Sequence, residues 1–245
     1  MEIIDAIWEK ANIDSRVVEI IIEKGDSIND FDVDDISAGK DYVVVKVPTD
    51  MTDYNWFLGS KGFVMIETQL GLSKKIKDLD INDRYLKRLL PKVSYEIVTS
   101  EKQLNIILDR ITPTMFVTDR ISLDPTYGVE IGCKRYKKYI WNSFVSQNLE
   151  IIGIFFNEDL VGFEMHKILG DVCYGKLGGV FSDVKIPGLG FLTACAPLLF
   201  AYEKYGVKEF RPDISTNNTS VLGLYNYFHF NIDKLTYVFV KHNDN

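Results

Sequence analysis

Val180-Phe181-Ser182-Asp183-Val184-Lys185-Ile186-Pro187-Gly188-Leu189-Gly190 marks a change of period in the sequence. A β-branched, apolar strand runs out, a loop follows, and two glycines open a helix of about 15 residues. Glycine lets a backbone come close to a ligand because no Cβ intervenes. The N–H groups of a first helical turn, with the helix dipole behind them, attract an anion. Lys185 adds positive charge at the loop entrance, so a pyrophosphate is the natural guest. Taken alone, the K-x-x-G-x-G pattern is equally a loop that merely begins a helix.

The segments around it set the fold class. Downstream, residues 207–214 read as a strand, 218–227 as a helix capped by Asn217 or Asn218, and 235–241 as a final strand. Upstream, 93–99 is a strand, 101–111 and 134–148 are helices, and 151–156 and 160–168 form a hairpin about the turn Asn157-Glu158-Asp159. Residues 172–181 complete the series. The order β, α, α, β, β, β, α, β, α, β predicts an α/β chain with a mixed sheet, not repeated βαβ units. No G-x-G-x-x-G follows a strand, and no P-loop is present.

Before residue 93 the pattern is simpler. Residues 42–47 form a β-branched strand ended by Pro48, a short helix stops at Gly62, and 63–70 form a second strand. The charged stretch 74–92 connects this part to the rest. We therefore divide the chain into a smaller partial α/β domain, residues 1–92, and a larger domain, residues 93–245. Residues 45–63 align without a gap onto 212–230, with Val47 on Ile214, Thr52 on Thr219 and Leu58 on Tyr225. Two readings stay open: a partial copy of the C-terminal core, or chance similarity between two strand–helix–strand units.

Composition narrows the function classes. The hydrophobic fraction is 46 %, ample for a packed core, and the net charge is −7. An acidic chain repels nucleic acid unless it carries a basic patch. The densest basic stretch, Lys134-Arg135-Tyr136-Lys137-Lys138, is short and reads first as a solvated helix face. Cys133, Cys173 and Cys195 form no C-x-x-C pair, which argues against disulfides and zinc and for reduced cytoplasmic thiols. The acidic loop around Asp30, Asp32 and Asp34 has Asp35 where a calcium loop needs glycine, so no metal is expected. No signal peptide and no apolar run of about 18 residues is seen, so no membrane partner is expected.

Asn218 and Tyr225 stand about two helical turns apart, near one face. Tyr225 is either a core tyrosine with a satisfied hydroxyl or an acid aimed at a leaving group. The 185–190 loop, Asn218, Tyr225 seven residues later, and His229-Phe230 together resemble the GNAT superfamily of N-acetyltransferases. Its loop is R/Q-x-x-G-x-G/A and a Gly-Phe pair follows its Tyr, so Lys185 and His229 are departures. The resemblance implies a GNAT-like domain preceded by a smaller partial GNAT-like one. It implies acetyl-CoA as cosubstrate, held by Val180, Ser182, Lys185, Ile186, Gly188, Leu189, Gly190, Phe191 and Asn218. Tyr225 would protonate the departing CoA thiolate, and backbone N–H groups near Val180 would hold the carbonyl where the strand splays. The general base is left between Glu67 and Asp119, each with a plainer reading as an exposed strand residue or a helix cap.

A narrower resemblance covers residues 116–136. Phe116, Arg120, Asp124-Pro125 and Arg135-Tyr136 are similar to the TDP-fucosamine acetyltransferase group. It implies an amine on a nucleotide-linked sugar as acceptor, with Arg120 and Arg135 either binding phosphate or pairing with Asp124 and Glu130. Other amines (a protein N-terminus, a polyamine, an antibiotic) and a non-catalytic CoA-binding module are the alternatives. A homodimer is left open.

Overall fold

Ten strands of the computed structural model, which describes residues 1–243, join edge to edge in the order β1-β2-β3-β10-β4-β9-β8-β7-β6-β5. The N-terminal elements are β1 (Glu2–Asp5), α1 (Trp8–Ile13), β2 (Val17–Ile21), α2 (Val33–Ile36), β3 (Tyr42–Pro48), α3 (Thr52–Ser60), β4 (Val64–Lys75) and α4 (Arg84–Leu89). Then come β5 (Val93–Ile97), α5 (Glu101–Arg110), α6 (Arg120–Leu123), α7 (Gly128–Ser146), β6 (Glu150–Phe156), β7 (Asp159–Leu169) and β8 (Val172–Val180). The chain closes with α8 (Gly190–Tyr205), β9 (Glu209–Ser215), α9 (Thr219–Tyr227) and β10 (Asn231–His242).

Local chemistry explains the elements. Ser100 and Gln103 form a reciprocal capping box at the start of α5. Phe156 pairs with Asp159 across the two residues Asn157 and Glu158, whose φ values of 51° and 71° fit a turn that matches strand twist. The β-branched run Val43, Val44, Val45 is fully buried in β3. Helices α5 and α7 pack Leu104, Ile107 and Ile140 on Ile151, Phe163 and Met165. Helices α8 and α9 join another cluster through Leu198, Tyr225 and Phe228, with Leu86 of α4. Helix α8 begins at Gly190, two residues later than its glycines suggest, because Gly188 has a φ of +87° and ends the loop in a left-handed turn.

The echo between 45–63 and 212–230 extends much further in three dimensions. Adding 167 to each boundary of β3, α3 and β4 gives the boundaries of β9, α9 and β10. The turns after the two helices match as well: the amide of Phe63 donates to Leu58 and that of Phe230 to Tyr225, each at 3.0 Å. The last strands exchange partners. β10 pairs with β3 and β4 with β9, while β4 and β10 pair with each other, with Gln69 opposite Thr236. The β4–β10 ladder skips Ile66 on one strand and Asp233 on the other, which are equivalent positions. Strand β10 thus lies between β3 and β4, and residues on both sides of position 92 build one sheet.

Candidate active site

Strands β8 and β9 run parallel and part early. Their pairing covers Val172–Gly175 against Glu209–Pro212 and stops there. A cavity of about 520 Å³ opens in the gap, lined from β8 by Gly178, Gly179 and Val180 and from β9 by Asp213 and Ser215. Strand β8 also breaks register with β7 between Met165 and His166, so Lys176 is skipped. A bulge at this point turns the strand away from its regular ladder.

Six residues singled out in the sequence meet at this cavity: Glu67, Asp119, Val180, Gly190, Asn218 and Tyr225. Asn218 is the cap of α9, its Oδ1 accepting from the Val221 amide at 3.3 Å. The Tyr225 ring points inward, 7 % exposed. Burial, then the nearby Glu164 carboxyl, pushes its phenol well above the ordinary value, so it keeps its proton at neutral pH. Glu67 is buried, not exposed, at 3 %. Burial raises its carboxyl, against a hydrogen bond from Ser215 and the charge of Arg120. Asp119 caps α6, accepting from the Ile121 amide at 3.0 Å and the Ser122 hydroxyl at 2.7 Å, and also lines the cavity.

The rest of the loop lies outside the cavity wall. Lys185 donates to the Ser182 carbonyl at 2.9 Å, and the Ser182 hydroxyl meets Thr112 at 3.1 Å. Ile186 is exposed, while Leu189 is buried in the core beneath α8. Phe191 stacks on Tyr85 with ring centroids 4.2 Å apart. The amides of Phe191 and Leu192 donate to Gly188 and Leu189 in a tight first turn. A pyrophosphate at this helix start would thus rely on the dipole and on cations. Arg88, in the stretch read as a connector, brings Nη2 to 3.2 Å from where a Gly188 Cβ would stand. Its planar guanidinium offers the fork that Lys185 lacks.

Glu164 is the functional candidate that the sequence did not reveal. Its strand neighbours Phe163 and Met165 pack toward α5 and α7, so Glu164 faces the other side. It lines the cavity at 6 % exposure, and among the described residues no group donates a hydrogen bond to it. Burial pushes its carboxyl well above the ordinary carboxylate range. The carboxyl lies across β8 so closely that a Cβ on Gly178 would meet Oε2 at 1.7 Å. Glycine at 178 is what leaves room for it.

Arg120 and Arg135 pair with neither Asp124 nor Glu130. Arg120 bonds Glu19 and lies 3.6 Å from Glu9, and Arg135 meets Glu9 at 2.5 Å. Burial alone would raise Glu19, but Arg120 first and Lys46 next hold it down at about 2. These ion pairs tie α1, β2 and β3 to α6 and α7. His166 is fully buried, with Nε2 3.0 Å from Glu150, away from the reacting groups. All three cysteines are buried and reduced. Among the described residues, no group of His, Cys, Asp and Glu is arranged to hold a metal, and no helix is long and apolar enough to cross a membrane.

No family model matches the sequence, and no curated protein does. Solved structures do match. A conserved protein of unknown function from Staphylococcus epidermidis superimposes with a TM-score of 0.60 at 13 % identity, covering 93 % of this chain and 84 % of that one. A GCN5-related N-acetyltransferase from Sphaerobacter thermophilus gives 0.54 at 8 % identity, over 82 % of this chain and 59 % of that one. A tandem GNAT protein from the clavulanic acid biosynthesis pathway gives 0.52 at 10 % identity, over 83 % and 65 %. These likenesses establish the fold: a mixed α/β sheet of the GNAT kind, with a partial GNAT-like unit before the larger one.

Proposed function

We propose that this protein transfers an acetyl group from acetyl-CoA to a primary amine. The observation that carries this reading is the meeting of Tyr225, Glu164 and Asn218 at one cavity, where β8 leaves β9 beside the start of α8. On this reading residues 93–245 hold the reacting groups and most of acetyl-CoA, while residues 1–92 add Arg88 at the phosphates and complete the acceptor side through Glu67. The GNAT fold supports it, since the similar structures from Sphaerobacter thermophilus and the clavulanic acid pathway are named for that family.

The residues suit the chemistry. An amine attacks only when it has lost its proton. Glu164 lines the same cavity as Tyr225 and lies against Gly178 of the splayed strand, so it is placed to take that proton. The β8 edge at 176–180 is paired with β7 but not with β9, so those of its amides that face the gap are available to the carbonyl oxygen as charge builds there. The carbon–sulfur bond then breaks, and the Tyr225 hydroxyl gives its proton to the leaving thiolate. A buried phenol is a poor acid in water's terms, yet the same burial raises a thiolate formed beside it, so the transfer stays matched. Helix α8, Gly188, Lys185 and Arg88 would receive the pyrophosphate, and Asn218 and Val221 the pantetheine arm.

Calorimetry with acetyl-CoA, followed by thiol release over a panel of amines, tests the proposal. Binding in the micromolar range and amine-dependent release of thiol are expected (about 8 kcal/mol at 1 μM). No heat with acetyl-CoA and no thiol release with any amine would reject it.

A further inference from the structure

We infer that the acceptor is a small amine with at least two ammonium groups, such as an aliphatic diamine or polyamine, and that Glu67 and Asp119 hold the ammonium that does not react. This deepens the transfer reading above and rests on it.

Charge on the cavity wall is one-sided. Four carboxyl groups line it, from Glu67, Asp119, Glu164 and Asp213, against one cationic side chain, Lys176. Arg120 and Arg135, the sequence neighbours of the wall residues Asp119 and Tyr136, are turned toward Glu9 and Glu19, where both are held by ion pairs. A nucleoside diphosphate on the acceptor would bring two negative charges to this wall with a single lysine to meet them. A polycationic amine meets the opposite situation.

The four carboxyls fall into two groups. Glu164 and Asp213 flank the β8–β9 gap, the first lying across β8 beside Gly178 and the second on β9. Glu67 and Asp119 stand on the far side of β9, on β4 and at the start of α6, which packs against β4. A ligand that touches both groups therefore needs two cationic centres. The buried Glu164 carboxyl has no donor among the described residues, and Glu67 pays for its burial with a raised carboxyl. An ammonium arriving at Glu164 supplies the partner that water supplied before burial, and at Glu67 it adds a charge to the hydrogen bonds from Gln69 and Ser215. The ring of Tyr136, tilted against Phe116 with centroids 4.9 Å apart, adds an aromatic face of the kind that favours ammonium groups. Glu67 follows the position skipped in the β4–β10 ladder, so a bulge aims this side chain out of the regular strand pattern.

The test uses the full chain with acetyl-CoA and follows thiol release with three acceptors: 1,4-diaminobutane, n-butylamine and a nucleoside-diphosphate-linked amino sugar. For the diamine, kcat/KM should exceed that for the monoamine by about 10- to 100-fold, since a charge-assisted hydrogen bond in a buried site is lost with the second ammonium. In Glu67→Gln and Asp119→Asn that ratio should fall by about tenfold each, chiefly through KM for the diamine. Equal kcat/KM for diamine and monoamine in the wild type overturns the inference while leaving acetyl transfer standing. So does a preference for the nucleotide-linked sugar. If Glu67→Gln lowers kcat equally for diamine and monoamine, Glu67 is a base, not a recognition group, and the inference fails. If no amine at all releases thiol, acetyl transfer and this inference fall together. The wild-type comparison decides the matter even if a variant does not fold.

Discussion

The units β3–α3–β4 and β9–α9–β10 share every boundary at a constant offset, yet the second lines the cavity with its helix and its first strand, while the first reaches it through Glu67 and Gln69 of β4. The difference lies in their parallel neighbours. Strand β2 stays paired with β3 over five residue pairs, from Val17–Tyr42 to Ile21–Lys46. Strand β8 stays with β9 for four and then leaves, with residues 176–180 still to run. The crossover differs as well. Between β8 and β9 lies the 16-residue helix α8, whereas between β2 and β3 the only α-helix is the four-residue α2. Finally, the inward position of the helix is Leu58 in the first unit and Tyr225 in the second, both buried. The unit is therefore a frame. Chemistry arises where a neighbouring strand peels away and an ionisable group faces the gap.

The sharpest way to break this comparison is to make the second unit resemble the first. Tyr225→Phe removes the hydroxyl and keeps the ring that packs on Phe230 at 4.6 Å. Turnover should fall by about 10²-fold or more while thermal stability changes little. At the equivalent site Leu58→Ala should do the reverse. It leaves a cavity among Val45, Tyr54 and Phe63 and should cost about 2–5 kcal/mol of stability by denaturant unfolding, with little change in the turnover of the folded fraction. A Leu58 variant that lost activity while fully folded would mean that α3, as well as α9, serves the reaction.

Glu164→Gln probes the gap itself. A carboxyl whose value is raised stays protonated as pH climbs and becomes a base only as pH passes through that raised value. The wild-type kcat/KM should therefore climb with pH in a window above the ordinary 4.5. The glutamine variant should lose that limb and about 10²-fold in rate. An unchanged pH profile would move the base to Glu67 or Asp119. At the loop, Arg88→Ala should raise KM for acetyl-CoA about three- to tenfold with little change in kcat, since it removes one charge-assisted contact from the phosphates. An unchanged KM would leave Lys185 as the cation of that site.

What the sequence made legible was local. Glycines at 188 and 190, the cap at Asn218 and the spacing to Tyr225 are signals that short stretches carry by themselves. Several element boundaries from residue 93 onward follow from periodicity and caps for the same reason, but α7 starts at Gly128 and not at 134, β10 starts at Asn231 and not at 235, and the short α6 gave no periodic signal. Glu164 was invisible because its place depends on glycine at 178 in the neighbouring strand. The ion partners of Arg120 and Arg135 were invisible because Glu9 and Glu19 lie more than 100 residues away. Arg88 was hidden in a charged stretch that looked like a connector, since its meaning comes from α4 packing against α8. The exchange of β4 and β10 is likewise a matter of strand order, which no single segment encodes.

The smallest effect tests the same comparison at one backbone position. Gly62 and His229 occupy equivalent sites after α3 and α9, with φ values of 81° and 53°. Both are in the left-handed region that glycine enters without a Cβ penalty and other residues enter at a cost. Both are exposed, and a Cβ on Gly62 would meet nothing within 4 Å, so backbone conformation dominates at each. His229→Gly should therefore stabilise the protein by about 0.5–1 kcal/mol, and Gly62→Ala should destabilise it by a similar amount. Denaturant midpoints at fixed slope measure both. Opposite signs at the two sites would mean that the turns are the same structure filled by different residues. A loss of stability in His229→Gly would mean that the imidazole has been kept at the second unit for an interaction that offsets the strain, and the two turns would no longer be equivalent.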